Sequence, residues 1–153
     1  MVMGLALSLT FSSFFIEHVL HEQPCPMCLW QRYSHMALWA VCLVSLVSWP
    51  LVRKPGLVIA LLALIGVYSW GVGLYQGSGQ QGWVELPATC TGGSAELATA
   101  DNLLLALQNI TPPPNCADID FTVFGLSLAW WNFIIMSCML YCLTVWLIKR
   151  RCA

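Results

Sequence analysis

Charged side chains are scarce in this sequence: only 8% of the 153 residues are Asp, Glu, Lys or Arg, while 59% are hydrophobic. Soluble domains carry about 25% charged and about 45–50% apolar positions. A chain this short has too little interior to hide so much apolar side chain from water. An ordinary water-soluble globule is therefore excluded, and lipid becomes the expected solvent. Internal repeats and low-complexity tracts are also lacking, and no nucleic-acid partner is expected.

What is present is long apolar sequence. Four stretches, about 1–20, 29–49, 56–75 and 125–148, reach the ~20 residues that cross a bilayer at ~1.5 Å per residue. The first is the weakest, because Glu17 and His18 follow its uncharged part. It lacks the basic start and small-residue cleavage site of a signal peptide before the cysteine pair, so a retained span is expected. The expected fold is an all-α membrane protein. A single domain over 1–153 forms a four-transmembrane-helix bundle, with a long periplasmic loop, about 76–124, carrying a short amphipathic helix.

Five of the six basic residues, Arg53, Lys54, Lys149, Arg150 and Arg151, lie between spans two and three or after span four. The positive-inside rule makes that side cytoplasmic. All seven acidic residues (Glu17, Glu22, Glu85, Glu96, Asp101, Asp118 and Asp120) fall at or towards the other side. A multi-pass protein of the bacterial inner membrane is expected, with both termini cytoplasmic. The long outer loop opens with Gly77 to Gly82, expected to break span three. Within it, Leu103, Leu104, Leu107 and Ile110 recur at near-helical spacing, with Thr99 or Asp101 as the cap.

Cysteine is plentiful, with eight in the chain. Cys42, Cys138 and Cys142 lie in spans, where free cysteine packs as a small hydrophobe, and Cys152 is in the tail. Cys25, Cys28, Cys90 and Cys116 fall on the outer face, where disulfides persist. Four cysteines allow three pairings; Cys25 with Cys28 and Cys90 with Cys116 is the simplest, since each pair then occupies one loop.

Cys25-Pro-Met-Cys28 is chemically suggestive because two intervening residues let both sulfurs meet at a helix start. If span two begins near Cys28, that sulfur lies at the positive end of the helix dipole, where a thiolate is favoured. Arg32, four residues on, shares its helix face. A guanidinium at that depth is costly, and intramembrane ionisable residues are functional candidates. Its partner is either the Cys28 thiolate or the oxygen of a reduced quinone. His35 borders the same pocket or sits at the interface, and Glu17 is a further neighbour to be placed. A rival reading uses His18, His21, Cys25 and Cys28, or Met27 as a soft ligand, to handle a metal ion. A structural membrane adaptor is a further alternative; it would tolerate loss of Cys25.

Pro24-Cys25-Pro-Met-Cys28-Leu-Trp-Gln31-Arg32 resembles the signature of the bacterial disulfide bond formation protein B family. Four spans, a second cysteine pair in the outer loop and Phe124-Gly-Leu126 before span four extend the resemblance along the chain. It implies an enzyme that reoxidises a periplasmic thioredoxin-fold dithiol oxidase of the DsbA type and passes electrons to membrane quinone, ubiquinone or menaquinone. Carried over by position, the resemblance makes Cys90 the site of the mixed disulfide and Cys116 the attacker of Cys25. Cys28 then leaves as the thiolate, and Arg32 holds the quinone oxygen. Tyr75-Gln76 stands where some members carry a histidine or basic residue near the quinone, and Cys90-Thr-Gly-Gly93 also marks divergence. Vitamin K epoxide reductase-like enzymes share four helices and quinone use, but place their active Cys-x-x-Cys in a later span.

Overall fold

The computed structural model describes residues 2–48, 55–87, 90, 115–119 and 121–152. Four long helices account for most of them: α1 (Val2–Val19), α2 (Pro26–Val47), α3 (Pro55–Gln80) and α4 (Leu128–Cys152). Each packs against the next in sequence, and α3 with α4 is the most extensive pair. Ala6, Leu38, Met136 and Met139, drawn from α1, α2 and α4, form the buried apolar centre, with Leu62 and Ile65 of α3 against it.

Burial is inverted relative to a soluble bundle. Phe11, Val47, Leu64 and Ile148 face outward, whereas Gln31, Arg32, Ser34, His35, Ser69, Gln76 and Asn132 are buried. An apolar exterior around a polar interior suits a lipid solvent. Among the described residues, α1, α3 and α4 are long and apolar enough to cross a membrane. The chain is a multi-pass helical membrane protein. α2 has the length but is less apolar, because four of the buried polar residues, Gln31, Arg32, Ser34 and His35, belong to it.

Small residues let α3 approach α4. A Cβ on Gly73 would stand 2.8 Å from Asn132 Nδ2 and 3.1 Å from the Phe133 nitrogen, and one on Gly77 would meet the Trp130 ring at 2.9 Å. Close backbone approach at glycine is the usual way membrane helices gain contact. Gly73→Ala should therefore cost about 1–3 kcal/mol by overpacking, read as a lower thermal midpoint in detergent. Gly71→Ala, whose Cβ meets nothing within 4 Å, should match or exceed the wild-type midpoint, since alanine is the better helix former.

Two local features depart from expectation. The glycine-rich stretch does not break span three, because α3 runs on to Gln80. Gly77 is filled by Trp130, and a Cβ on Gly79 would collide with Leu86, so these glycines are packing positions. Gly82 ends the helix instead: its φ is +73°, and Gly82 N–H and Trp83 N–H donate back to Gly79 O and Ser78 O at 2.9 and 3.0 Å, the pattern of a glycine C-cap. The second departure is a hairpin of β1 (Thr122–Val123) and β2 (Leu126–Ser127) just before α4. Phe124 and Gly125 both take positive φ, 52° and 78°, as a tight two-residue hairpin turn requires. The all-α expectation is corrected by this small element. The amphipathic helix expected near 95–110 lies outside the described residues.

Candidate active site at the head of α2

Pro26 occupies the first turn of α2 and Cys25 is its N-cap, with φ −66° and ψ 161°. Proline suits that position because its fixed φ is helical and its missing N–H would have no partner there. Cys25 Sγ accepts the Cys28 N–H at 3.3 Å, a role usually filled by a Ser or Asp oxygen. The two sulfurs are 2.8 Å apart. Cys25 thus caps the helix, and Cys28 stands in its first turn, at the positive end of the helix dipole, because Pro26 lets the helix start before the apolar run does.

The segments between α3 and α4 carry the second pair to the same place. After Gly82 the chain doubles back along α3, with Tyr75 Oη donating to Glu85 O at 2.8 Å. Cys90 N–H then donates to Pro87 O, and Cys116 N–H to Cys90 O, each at 2.8 Å. An Asn115 turn, in which Asn115 Oδ1 accepts the Ala117 N–H at 3.0 Å, presents Cys116. Cys25, Cys90 and Cys116 form one buried cluster with Met27, and Cys28, Val72 and Leu86 pack against it. All four expected cysteines therefore meet.

Cys116 packs with Cys25 in that cluster. That contact and burial push the Cys25 thiol up to about 11, outweighing the opposing pull of the Cys28 thiol and N–H. Because the thiolate is the reactive form, alkylation of Cys25 in the reduced protein should stay slow at neutral pH. It should climb steadily as pH rises towards 11; a plateau near the usual thiol value of 9.0 would contradict the buried Cys116 contact. Mass spectrometry after timed alkylation reads this directly.

Gln76 of α3 reaches both sulfurs. Its Nε2 donates to Cys25 Sγ at 3.3 Å and to Cys28 Sγ at 3.5 Å, and its Oε1 accepts from Gln31 Nε2 at 3.0 Å. One turn below Cys28, Arg32 is 6% exposed and is paired with Glu17 of α1. Its Nε also donates to Ser13 Oγ at 2.8 Å, and its guanidinium lies 4.6 Å from the Phe14 ring centroid. The carboxylate and the Phe14 face together explain how a cation tolerates that depth. His35 Nε2–H donates to Asn132 Oδ1 at 2.9 Å, and Asn132 Nδ2 donates to Ser69 O at 2.9 Å, which fixes the imidazole between α2, α3 and α4.

A cavity of about 180 Å³ lies among these groups, with Cys25, Cys28, Arg32, His35, Gln76 and Asn132 on its wall. Cys90 and Cys116 are absent from that wall. The Cys25–Cys28 pair therefore separates the cavity from the second pair. The metal reading fares worse: among the described residues no three His, Cys, Asp or Glu side chains group to hold an ion. His18 packs edge-on to Phe14 at 5.9 Å.

Gln31, Gln76, Ser13, Asn132 and Ser69 were not anticipated as site residues. Their signal was present, since isolated amide and hydroxyl side chains in apolar spans are costly unless they find partners. Gln76 stood out only as a departure from a family pattern.

Four long helices enclosing a cavity, with four cysteines gathered at one end, define a multi-pass membrane protein equipped for disulfide chemistry. Comparison with known families agrees: the model for "Disulfide bond formation protein DsbB" matches residues 1–147, and the chain belongs to that family. A disulfide bond formation protein B of Acinetobacter baylyi is 31% identical over 99% of this chain and 88% of its own length. The protein of the same name from Acinetobacter baumannii is 31% identical over 78% of this chain and 71% of its own length. That of Aromatoleum aromaticum is 27% identical, covering 80% and 74%. No solved structure matches the chain. The protein is a disulfide-forming membrane oxidoreductase.

Proposed function

We propose that this protein reoxidises a periplasmic thioredoxin-fold dithiol oxidase of the DsbA type and delivers the electrons to quinone in the bacterial inner membrane. α2 crosses as the fourth span, its polar face turned inward, and both termini are cytoplasmic as the Lys and Arg distribution requires. The observation that carries the reading is the position of Cys25 and Cys28, with Cys116 against one side and the cavity against the other.

The exchange runs as follows. A partner thiolate attacks Cys90 Sγ of an oxidised Cys90–Cys116 pair, forming a mixed disulfide and releasing Cys116 as thiolate. Cys116 attacks Cys25 Sγ of the Cys25–Cys28 disulfide and releases the Cys28 thiolate. The partner's second thiol then resolves the mixed disulfide, leaving Cys90 free and the partner oxidised. Cys90 attacks Cys116, which frees Cys25 and restores the Cys90–Cys116 bond. Two electrons have moved from the partner to the Cys25 and Cys28 dithiol. Each step needs a thiolate and an accessible disulfide sulfur.

The cavity fits a quinone ring by chemistry and size. At about 180 Å³ it is smaller than the ~300–1,000 Å³ of whole-ligand pockets, which suits a ring whose tail remains in lipid. Arg32 is the donor for a ring oxygen and stabilises negative charge developing there, and His35, its Nε2–H held by Asn132, stands beside it on the cavity wall. A quinone held there by Arg32 would supply the acceptor of two electrons and two protons that lets the Cys25–Cys28 disulfide re-form. The residues' own contribution is to hold the dithiol at the cavity and to exclude water from it.

Alkylation mapping tests the reading. In membranes depleted of quinone and supplied with reduced partner, Cys25, Cys28, Cys90 and Cys116 should accumulate as free thiols. Added quinone should return them to disulfides. Unchanged labelling in the two conditions would sink it.

A further inference from the structure

Gln76 contacts both sulfurs of the Cys25–Cys28 pair, and its own orientation is fixed from the far side. Because Gln76 Oε1 accepts from Gln31 Nε2, its NH2 end is turned to Cys25 and Cys28. Both amides are buried, Gln31 at 7% and Gln76 at 2% exposure, so water is a poor substitute for either contact. An amide turned the other way would present a carbonyl oxygen to the sulfurs, which accepts from a thiol but repels a thiolate.

We propose that Gln31 and Gln76 form a positioning pair that aims an N–H donor at the sulfurs of Cys25 and Cys28 and stabilises whichever of them is released as thiolate. The inference rests on the reading of that pair as redox-active, and deepens it. Gln76 is the sulfur-facing group; Gln31 acts only through Gln76. Among the described residues no cation takes this role directly, since the hydrogen bonds of Arg32 go to Glu17 and Ser13.

Among the described residues, the other titratable and charged groups facing the pair are few. They are Cys90 and Cys116 from the segments between α3 and α4, Arg32 one turn along α2 and Glu17 of α1. Glu22, His35 and Asp118 stand on the cavity wall. A Cys90→Ser, Cys116→Ser background removes the first two without touching either amide, leaving one dithiol to titrate.

In that background, reduced protein in detergent is alkylated with iodoacetamide across a pH series, and labelling at Cys28 is counted by mass spectrometry. A hydrogen bond to a charged group contributes about 1.5–3 kcal/mol, and about 1.4 kcal/mol corresponds to tenfold. Gln76→Met should therefore slow Cys28 alkylation about tenfold or more at neutral pH and move its pH midpoint up by about one unit or more. Gln31→Met should shift the midpoint in the same direction by a smaller amount. Gln31→Glu should act more severely than Gln31→Met, because a carboxylate there accepts from the Gln76 NH2 and turns its carbonyl to the sulfurs. Helical circular dichroism confirms folding for each variant.

A Cys28 midpoint unmoved in folded Gln76→Met, or Gln31→Glu milder than Gln31→Met, overturns the proposal. The assay uses no quinone and no partner, so its failure is separate from failure of the electron-transfer reading. That reading is lost instead if the same background never forms a Cys25–Cys28 disulfide under oxidation.

Discussion

Cys116→Ala is expected to stop turnover and to accumulate a mixed disulfide between Cys90 and the partner. Cys116 is fully buried and in side-chain contact with Cys25, so its removal leaves the inner pair without an attacker. Cys90, left as a lone thiol, can still attack the disulfide of an oxidised partner but has no route to pass electrons inward. Non-reducing electrophoresis after mixing with oxidised partner reads the adduct, and peptide mapping locates it. An adduct at Cys25 would reverse the proposed order of the two pairs. Cys116→Ser should behave in the same way, because a hydroxyl preserves hydrogen bonding without the redox chemistry. Because all three clustered sulfurs are buried, mixed-disulfide formation should be slower than exchange with an exposed thiol.

Arg32→Ala is expected to lower quinone reduction by about 10²–10³, the range for losing one preorganised donor to developing charge. Apparent affinity for the partner should stay within about twofold of wild type, since Arg32 lies in the bundle with its contacts on α1. Equal losses in quinone and partner KM would count against the assignment. Stability changes too. Removing one member of a fully buried ion pair costs about 3–5 kcal/mol, but the Glu17 side chain is 32% exposed, and water screens what remains. A loss of about 1–2 kcal/mol is the discounted expectation. Glu17→Gln should be milder in both respects, because Arg32 keeps its bonds to Ser13. Combining Arg32→Ala with Glu17→Gln should recover part of the stability and none of the quinone reduction, which separates the two roles of the guanidinium.

Much of this arrangement was legible before any coordinates. The four helices follow from apolar run length, and the outer cysteines from their number and placement. Burial of Arg32 followed from its spacing after Cys28 on a helix face. What hydropathy misjudged were the places where tertiary packing decides. Gly77 and Gly79 read as breakers, yet the Trp130 ring and Leu86 occupy the space their missing side chains leave. Pro26 starts the helix before the apolar run and makes Cys25 its cap. The partners of Arg32 and His35 were unreadable for another reason: Glu17 and Asn132 sit on different helices, and no local pattern encodes which faces of α1 and α4 meet α2. The same is true of Gln76, 48 residues from Cys28 in sequence yet within hydrogen-bonding reach of it. Its family-divergent identity was visible, but its orientation required Gln31. The hairpin escaped notice because Phe124 takes a positive φ that glycine or asparagine usually supplies.

The most direct measurement uses protein in which Cys90 and Cys116 are both serine, fully reduced, purified in detergent and mixed anaerobically with excess quinone. Absorbance reports the quinone consumed, and mass spectrometry reports the cysteines. Close to one quinone should be reduced per chain as Cys25 and Cys28 become a disulfide. Thiols that persist at Cys25 and Cys28 while quinone stays oxidised would contradict the account.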